Sequence, residues 1–142
     1  KGERTSTLDL WPDFALATYV TIPGYHPGIE KKDSNLEIGK GPVITIADAS
    51  GRGLIASEKV VNWLAETAAK FDIAVQMDVS GGGTTDATAI QLTREGIHTG
   101  LISVATRYIH SPVEVLSTKD LEACAELIAR ALETAPEYFK AE

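Results

Sequence analysis

The chain is poor in cysteine and in basic residues, and each shortage excludes a class of protein. Cys124 is the single cysteine, so an internal disulfide is impossible, which fits a reducing compartment and predicts a cytoplasmic protein. Lysine and arginine total 13 against 20 aspartate and glutamate residues, a net charge of −7. Because nucleic acids and anionic membranes attract a basic surface, neither is expected as a partner.

Long apolar runs and familiar catalytic spacings are also lacking. No run reaches the roughly 18 apolar residues of a membrane-spanning helix, and the chain does not open with a basic and then apolar signal segment. No Cys/His zinc spacing, His-Glu-x-x-His helix or Ser-His-Asp arrangement stands out. A length of 142 residues is that of one domain with a real core, so we predict a single domain over residues 1–142.

Apolar runs and helical periodicity together predict the secondary structure. Buried strands are expected at 13–22, 43–48, 73–79 and 99–105. Helices are expected at 57–71, from Thr84 or Thr85 to about Glu95, and from a cap at Ser117 or Thr118 onward. The core-facing stripes of the first and last helices are predicted as Val60, Val61, Leu64, Ala65 and Ala68, and as Leu121, Cys124, Ala125, Ile128 and Leu132.

This order of elements predicts the fold class. Strands that alternate with helices indicate an α/β protein. Because the strands are apolar runs without clean alternation, helices should cover both sheet faces. We therefore expect a three-layer α/β/α arrangement around a mostly parallel sheet.

Three loops that follow predicted strands carry residues capable of binding or chemistry. In open α/β sheets, ligand sites gather at the carboxyl ends of the strands, so these loops should converge. The loop after strand 13–22 follows Tyr19 and contains Tyr25 and His26, the second is the glycine-rich "GGGTTDA" at 81–87, and the third contains Arg107, Tyr108 and His110.

Each of these features has a functional and a structural interpretation. His110 is either a metal ligand or a half-buried histidine bonded to a backbone carbonyl. The glycine loop could hold a carboxylate or phosphate on its backbone N–H groups, or bind a cation or amine through Asp86, or be a tight turn before a capped helix. Arg107 and Glu114 could contact substrate or pair with each other. The residues alone leave these alternatives open.

Three long motifs in the right order resemble one enzyme family. The stretches "LEIGKGPVITIAD", "SGGGTTDATAIQLTREGI" and "TRYIHSPVEVLSTKDLEA" are similar to the tetrahedral (TET) aminopeptidases, also labelled glutamyl or deblocking aminopeptidases or, in some members, endoglucanases. The resemblance runs from Gly2 to about Ala135. It implies a cytosolic enzyme with two zinc or cobalt ions that removes amino-terminal residues from short peptides and assembles into particles of twelve subunits.

The resemblance also assigns residues. It makes His110 a metal ligand and places substrate beside residues of the second and third loops. These expected substrate-binding residues are Gly82, Gly83, Thr84, Thr85, Asp86, Arg107 and Tyr108.

Departures from the family pattern limit what the chain should do alone. "KGER" resembles the stretch that follows the family's Glu-Glu pair. The general base is therefore expected just upstream of Lys1. The chain should then be the carboxyl-terminal portion of a catalytic domain, with an incomplete fold. Tyr19 and Tyr25 stand where the family has aspartates, the first a metal ligand. One imidazole cannot hold a pair of metal ions, so this chain is expected not to bind them as a pair and to be inactive alone.

Two other functions remain as alternatives. The chain could be a degenerate, non-catalytic subunit or assembly module of the same family. The endoglucanase label suggests a glycoside hydrolase, which needs two carboxylates that flank a sugar bond, and the sequence places no such pair.

Overall fold

A computed structural model describes residues 2–30 and 32–139. The helices are α1 (Gly2–Leu10), α2 (Glu58–Lys70), α3 (Asp86–Gln91) and α4 (Thr118–Tyr138), and a short 3-10 turn covers Ala49–Gly51. The strands are β1 (Phe14–Thr21), β2 (Val43–Ala47), β3 (Gln76–Val79), β4 (His98–Arg107) and β5 (Val115–Leu116). Within the described residues, no helix is both long and apolar enough to cross a membrane.

All four predicted strands and all three predicted helices are present, with changes at their ends. The third strand begins at Gln76 and not at residue 73, because the Ile73 N–H bonds to the Ala68 carbonyl at the end of α2. The second helix ends at Gln91, since Arg94 and Gly96 take positive φ angles that turn the chain into β4. Neither α1, which has no apolar stripe, nor the two-residue β5 was predicted.

The sheet is mixed, in the order β1-β4-β2-β3, with β5 paired to the far end of β4. β1 runs parallel to β4, and β2 runs parallel to β3. The two pairs meet where β2 lies antiparallel to β4. The predicted α/β class is confirmed, and its longest ladder is parallel, but the sheet reverses direction at its centre.

Helices cover both faces of this sheet, as predicted. On one face, α2 and α4 enclose the main core with side chains of β2 and β4: Ile44, Val60, Trp63, Leu64, Ile102, Val104, Leu127 and Ala131. On the other face a smaller cluster joins α3 to β4 through Ala87 and Leu101. Ile102 and Leu101 point to opposite faces because successive strand residues alternate.

Gly100 lets α2 approach the sheet closely. A β-carbon there would lie 2.5 Å from Val60 Cγ1 and 3.1 Å from Leu16 Cδ2. The absence of a side chain in the middle of β4 therefore sets the distance between the sheet and α2.

The predicted core-facing stripe of α4 was wrong by about one residue. Leu121 and Leu132 are 52% and 54% exposed, and Ala125 is exposed as well. The buried face contains Asp120, Cys124, Leu127, Ala131, Thr134 and Ala135. The apolar pattern misled because two members of the true face are polar residues whose hydrogen bonds are satisfied inside the fold. For α2 the predicted Val60, Leu64 and Ala68 are buried, together with Trp63 and Thr67.

One of those polar residues, Thr134, joins α4 to α2. The Trp63 indole N–H donates to Thr134 Oγ1 at 2.9 Å, and the Thr67 and Thr134 hydroxyl oxygens are 3.0 Å apart. Trp63 is completely buried. A buried indole N–H needs such an acceptor, since an unsatisfied buried donor destabilises a fold.

Thr134→Val should lower the free energy of unfolding by about 1–3 kcal/mol, because the variant keeps the shape but leaves the Trp63 N–H without its acceptor. Urea denaturation followed by tryptophan fluorescence measures the loss. Thr118→Val, at an exposed position of the same helix, is the matched control and should change stability little. Equal stability of the two variants would contradict a role for this hydrogen bond.

Candidate functional site

The floor of the principal pocket is a polar patch on one sheet face. Tyr19 pairs with Ser103 across β1 and β4, and Thr45 pairs with Leu101 on one side and with Asp78 on the other. Paired residues point to the same face, so polar side chains from all four long strands share it. Ser103, Thr45 and Asp78 are nearly inaccessible to solvent. Buried polar side chains on a sheet face point to a functional site more strongly than buried apolar side chains do.

Three segments close over this floor and form a cavity of about 380 Å³. The loop after β3 contributes Ser80, Gly81, Gly82, Gly83, Thr84 and Thr85. The turn after β4 contributes Ile109 and His110, and the segment after β1 contributes Ile22 and Ile29. Pockets of this size accommodate a small ligand or one or two residues of a peptide.

The turn that carries His110 into the pocket has a strained backbone. Tyr108 and His110 both have positive φ angles, 59° and 64°, which L-residues rarely adopt. The backbone N–H of His110 donates to Glu114 Oε1 at 2.8 Å, and the imidazole lies 6.2 Å, centroid to centroid, from the ring of Tyr19. Strained residues of this kind cluster at ligand sites. The ring is exposed in the pocket and is not buried among aliphatic side chains.

Hydrogen bonds of Ser80 fix the conformation of the glycine loop. Ser80 Oγ donates to the Gly82 carbonyl at 2.7 Å, the Ser50 N–H bonds to the Ser80 carbonyl, and Gly83 has a φ of 83°. Thr85 occupies the predicted cap position of α3 but makes no cap hydrogen bond, and its buried hydroxyl has no partner. Asp86 is exposed at the start of α3 and does not line the pocket.

Other predicted site residues form a separate cluster outside the pocket lining. Arg107 Nη2 donates to the Tyr108 hydroxyl at 2.8 Å, and the guanidinium lies 4.9 Å and 5.9 Å from the ring centroids of Tyr108 and Tyr25. The ring of His26 contacts Tyr108 edge-on at 5.4 Å. Glu114, considered as a partner for Arg107, bonds instead to the backbone of His110.

The loops meet for a different reason than the sequence suggested. The carboxyl ends of β1 and β4 lie at the same end of the sheet, but β3 runs in the opposite direction, so its carboxyl end lies at the other end. The glycine loop and the His110 turn therefore approach from opposite ends and meet over the sheet face. Residues that follow β1, β3 and β4 all line one pocket, so the three loops converge as predicted. The expected reason, a gathering of the loops at one edge of the sheet, was wrong.

Sequence reasoning missed two buried carboxylates in this pocket. Asp48 and Asp78 are 4% and 8% exposed and both line it. Asp48 Oδ1 accepts a hydrogen bond from the Leu54 N–H, while Oδ2 is buried and has no partner in the part of the chain that the structure describes. Burial raises the pKa of both carboxyl groups, an effect that a backbone hydrogen bond to each partly opposes. The sequence contains one signal for these two residues, because each of the apolar runs 43–48 and 73–79 has an aspartate at or next to its last position.

The described residues do not complete a metal centre. Among residues 2–30 and 32–139, no group of three or more His, Cys, Asp or Glu side chains is arranged to hold a metal ion. A stable zinc site needs three or four protein ligands, so His110 and its neighbours in this chain do not fit a metal pair by themselves.

Comparisons with known proteins agree on one family. The sequence model for "M42 glutamyl aminopeptidase" matches residues 1–127. An aminopeptidase from the archaeon Desulfurococcus kamchatkensis has a similar structure, with a TM-score of 0.86 and 44% identity over 99% of this chain. A TET peptidase of Pyrococcus horikoshii, described as able to assemble into a tetrahedron or a large octahedral shell, gives a TM-score of 0.72 and 30% identity over 99% of this chain.

A curated relative shows what share of a longer protein this chain covers. A lysyl aminopeptidase of Pyrococcus furiosus is 31% identical over 94% of this chain. This chain spans 36% of that protein, and 38% and 37% of the two archaeal structures.

Asp78→Asn should stabilise the chain more at pH 7 than at pH 4. Burial raises the pKa of Asp78 in the folded state. Well below the unfolded pKa of about 3.9, the carboxyl group is protonated in both states and does not lower the free energy of unfolding. The free energy of unfolding then falls as pH rises through the folded pKa, because the unfolded state releases its proton more readily. Asparagine does not ionise and escapes that loss. Thermal unfolding at both pH values measures the difference between variant and wild type. Asp33→Asn removes the same charge from an exposed side chain, and an equal change there would assign the effect to net charge.

Proposed function

Because the chain belongs to the M42 glutamyl aminopeptidase family, we propose that its pocket takes part in removing amino-terminal residues from short peptides. The chain spans less than two fifths of its relatives, so the activity is proposed for a catalytic unit that contains more than these residues. The observation that carries the proposal is that His110 and the glycine loop line the same cavity, which is large enough for one or two residues.

In this proposal the catalytic unit would hold two divalent metal ions, zinc or cobalt, which would supply positive charge for polarising the peptide carbonyl and a water molecule. His110 is the ligand that this chain contributes. Its own backbone N–H is fixed by Glu114, which restrains the strained turn and thereby the direction of the imidazole. Since the described residues do not form a complete centre, the remaining ligands and the general base are assigned to other parts of the unit.

The substrate contacts that we propose are those of the pocket lining. Gly82, Gly83, Thr84 and Thr85 border the cavity opposite His110, and backbone groups of glycines allow a peptide to approach closely. Asp86, Arg107 and Tyr108 lie outside the lining, so the proposal does not include them as direct contacts.

We further propose a cytoplasmic homo-oligomer. The support is the family, in which the Pyrococcus horikoshii protein is described as forming closed shells. A shell of twelve subunits would confine hydrolysis to peptides small enough to enter it.

Tyr19 supports a second candidate, a non-catalytic subunit. Its ring lies in the pocket 6.2 Å from the imidazole of His110, at the position where the family pattern has an aspartate. A neutral phenol is a poor replacement for a carboxylate ligand, because its pKa is near 10. Such a chain would retain the pocket but would not catalyse peptide hydrolysis.

The purified chain should bind less than one equivalent of tight zinc and should not cleave aminoacyl-p-nitroanilides, since it supplies one imidazole to the proposed centre. Equilibrium dialysis with metal analysis, beside a chromogenic assay, measures both. Robust turnover by this chain would contradict the proposed division of the site. Carboxymethyl cellulose is included in parallel because the pocket does contain two carboxylates, and its cleavage would favour a glycoside hydrolase.

A chimera tests the catalytic proposal directly. The amino-terminal part of the Desulfurococcus kamchatkensis aminopeptidase is joined to this chain at the position that matches Lys1, and peptide hydrolysis is measured with added zinc or cobalt. The wild-type chimera should be active, and His110→Ala should lower kcat/KM by at least about a hundredfold, since even residues that only orient a ligand cost 10–100-fold.

The same chimera separates the two candidates. If it is inactive while Tyr19→Asp restores hydrolysis, the non-catalytic reading is correct and the first proposal fails. Phe replaces Tyr19 in a matched control, which keeps the ring and should not restore activity in an inactive chimera.

A further inference from the structure

The charges that line the pocket are unbalanced. Three of its side chains are carboxylates, Asp33, Asp48 and Asp78, and His110 lies on the opposite loop. No lysine or arginine belongs to the described lining. Two of the carboxylates are more than nine-tenths buried, so solvent screens them poorly.

Asp48 belongs to the pocket lining and uses only one of its two carboxylate oxygens in a described hydrogen bond. Its Oδ1 accepts from the Leu54 N–H, and the close approach of Gly53 leaves no room for a side chain on that side. Its Oδ2 is buried and has no hydrogen-bond partner among residues 2–30 and 32–139. A carboxylate oxygen in that state is costly unless something outside the described contacts satisfies it.

Asp78 reinforces the same end of the cavity. It lies on β3 beside Thr45, on the face that forms the pocket floor. Burial raises the pKa of both aspartates, and no lysine or arginine of the described lining offsets this effect. A cation brought by a ligand would do so.

An organic cation fits this end better than a metal ion. Magnesium and calcium require six or more oxygen ligands in defined geometry, and the described residues hold no group of three ligating side chains. An ammonium or guanidinium group donates several hydrogen bonds and pairs readily with two carboxylates.

The width of the sheet indicates which part of a substrate brings the charge. Tyr19 on β1 and Asp78 on β3 are separated by three strand spacings, roughly 14 Å between backbones. A peptide whose amino end lies near Tyr19 and His110 would need a long side chain to reach Asp78 and Asp48. Lysine and arginine are the long cationic side chains.

We propose that Asp48 and Asp78 form a specificity subsite for the charged group of a lysine or arginine at the amino terminus of a peptide. The assignment rests on the proposed peptidase function for its biological meaning. The test measures binding alone, so it gives a clear result even if the chain binds the ligand and hydrolyses no peptide.

Isothermal titration of the 142-residue chain with three amino-acid amides measures the preference. Lysine amide should bind at least about tenfold more tightly than norleucine amide, which has the same length without the terminal ammonium, as expected for a charge-assisted hydrogen bond. Glutamic acid 1-amide should bind most weakly. Nα-acetyl-lysine amide should keep most of the preference, which separates the side-chain ammonium from the α-amine.

Variants locate the preference within the pocket. Asp48→Asn keeps the Oδ1 acceptor for Leu54 and removes the charge, and Asp78→Asn is its counterpart on β3. Each should reduce the lysine-over-norleucine ratio at least about fivefold. Asp13→Asn, an exposed carboxylate outside the pocket lining, is the matched control and should change the ratio less than twofold. Circular dichroism confirms that each variant is folded.

Three results would overturn the proposal. They are equal binding of lysine and norleucine amides, no binding of lysine amide by the folded wild-type chain at millimolar concentration, and loss of the preference on acetylation of the α-amine. Tight binding of magnesium or calcium that the two Asn variants abolish would assign the carboxylates to a metal ion instead. Failure of the chimera to hydrolyse peptides, with the binding preference intact, would remove the peptidase function and leave the subsite.

Discussion

The antiparallel pairing of β2 with β4 is the constraint on which the rest of the pocket depends. Val43 lies opposite Ser103, and Thr45 lies opposite Leu101. Each half of the sheet is parallel within itself, so this one ladder decides that the two halves run in opposite directions. Loops that would otherwise leave the sheet at one edge leave it at opposite ends, and they can share a ligand only by folding over the face between them. The polar floor of that face follows from the same register.

Three buried aspartates show how a structural carboxylate differs from one available to a ligand. Asp120 is 2% exposed, and its two oxygens accept from the Gly39 and Gly41 N–H groups at 2.6 Å and 3.0 Å. It fastens the start of β2 to α4 and has no oxygen left over. Asp48 is almost equally buried but satisfies only one oxygen. Because most buried polar atoms in folded proteins have a hydrogen-bond partner, the contrast between Asp120 and Asp48 argues for a ligand at the second.

The sequence predicted the elements better than their arrangement. Apolar runs located every long strand, since a strand covered on both faces needs them. Periodicity failed on α4 because Asp120 and Thr134 belong to its buried face, and no apolar pattern includes polar residues whose partners lie 79 and 71 positions away in the chain. Strand direction could not be read at all, because parallel and antiparallel partners share the same composition. His110 was found through a family motif, whereas Asp48 and Asp78 required the three-dimensional pairing that buries them.

The reversal of the sheet also separates the two ends of the pocket chemically. The end with Tyr19 and His110 is built by β1, β4 and the strained turn that follows β4, while the acidic end is built by β2, β3 and their loops. The strands that form the two ends are different, so a substitution at one end need not disturb the other. Under the proposed function, a chain with Tyr19 in place of a metal-binding aspartate would lose hydrolysis and still select a basic residue. Catalysis and recognition would then be independent properties of this pocket, and the loss of one would not be a reason to expect the loss of the other.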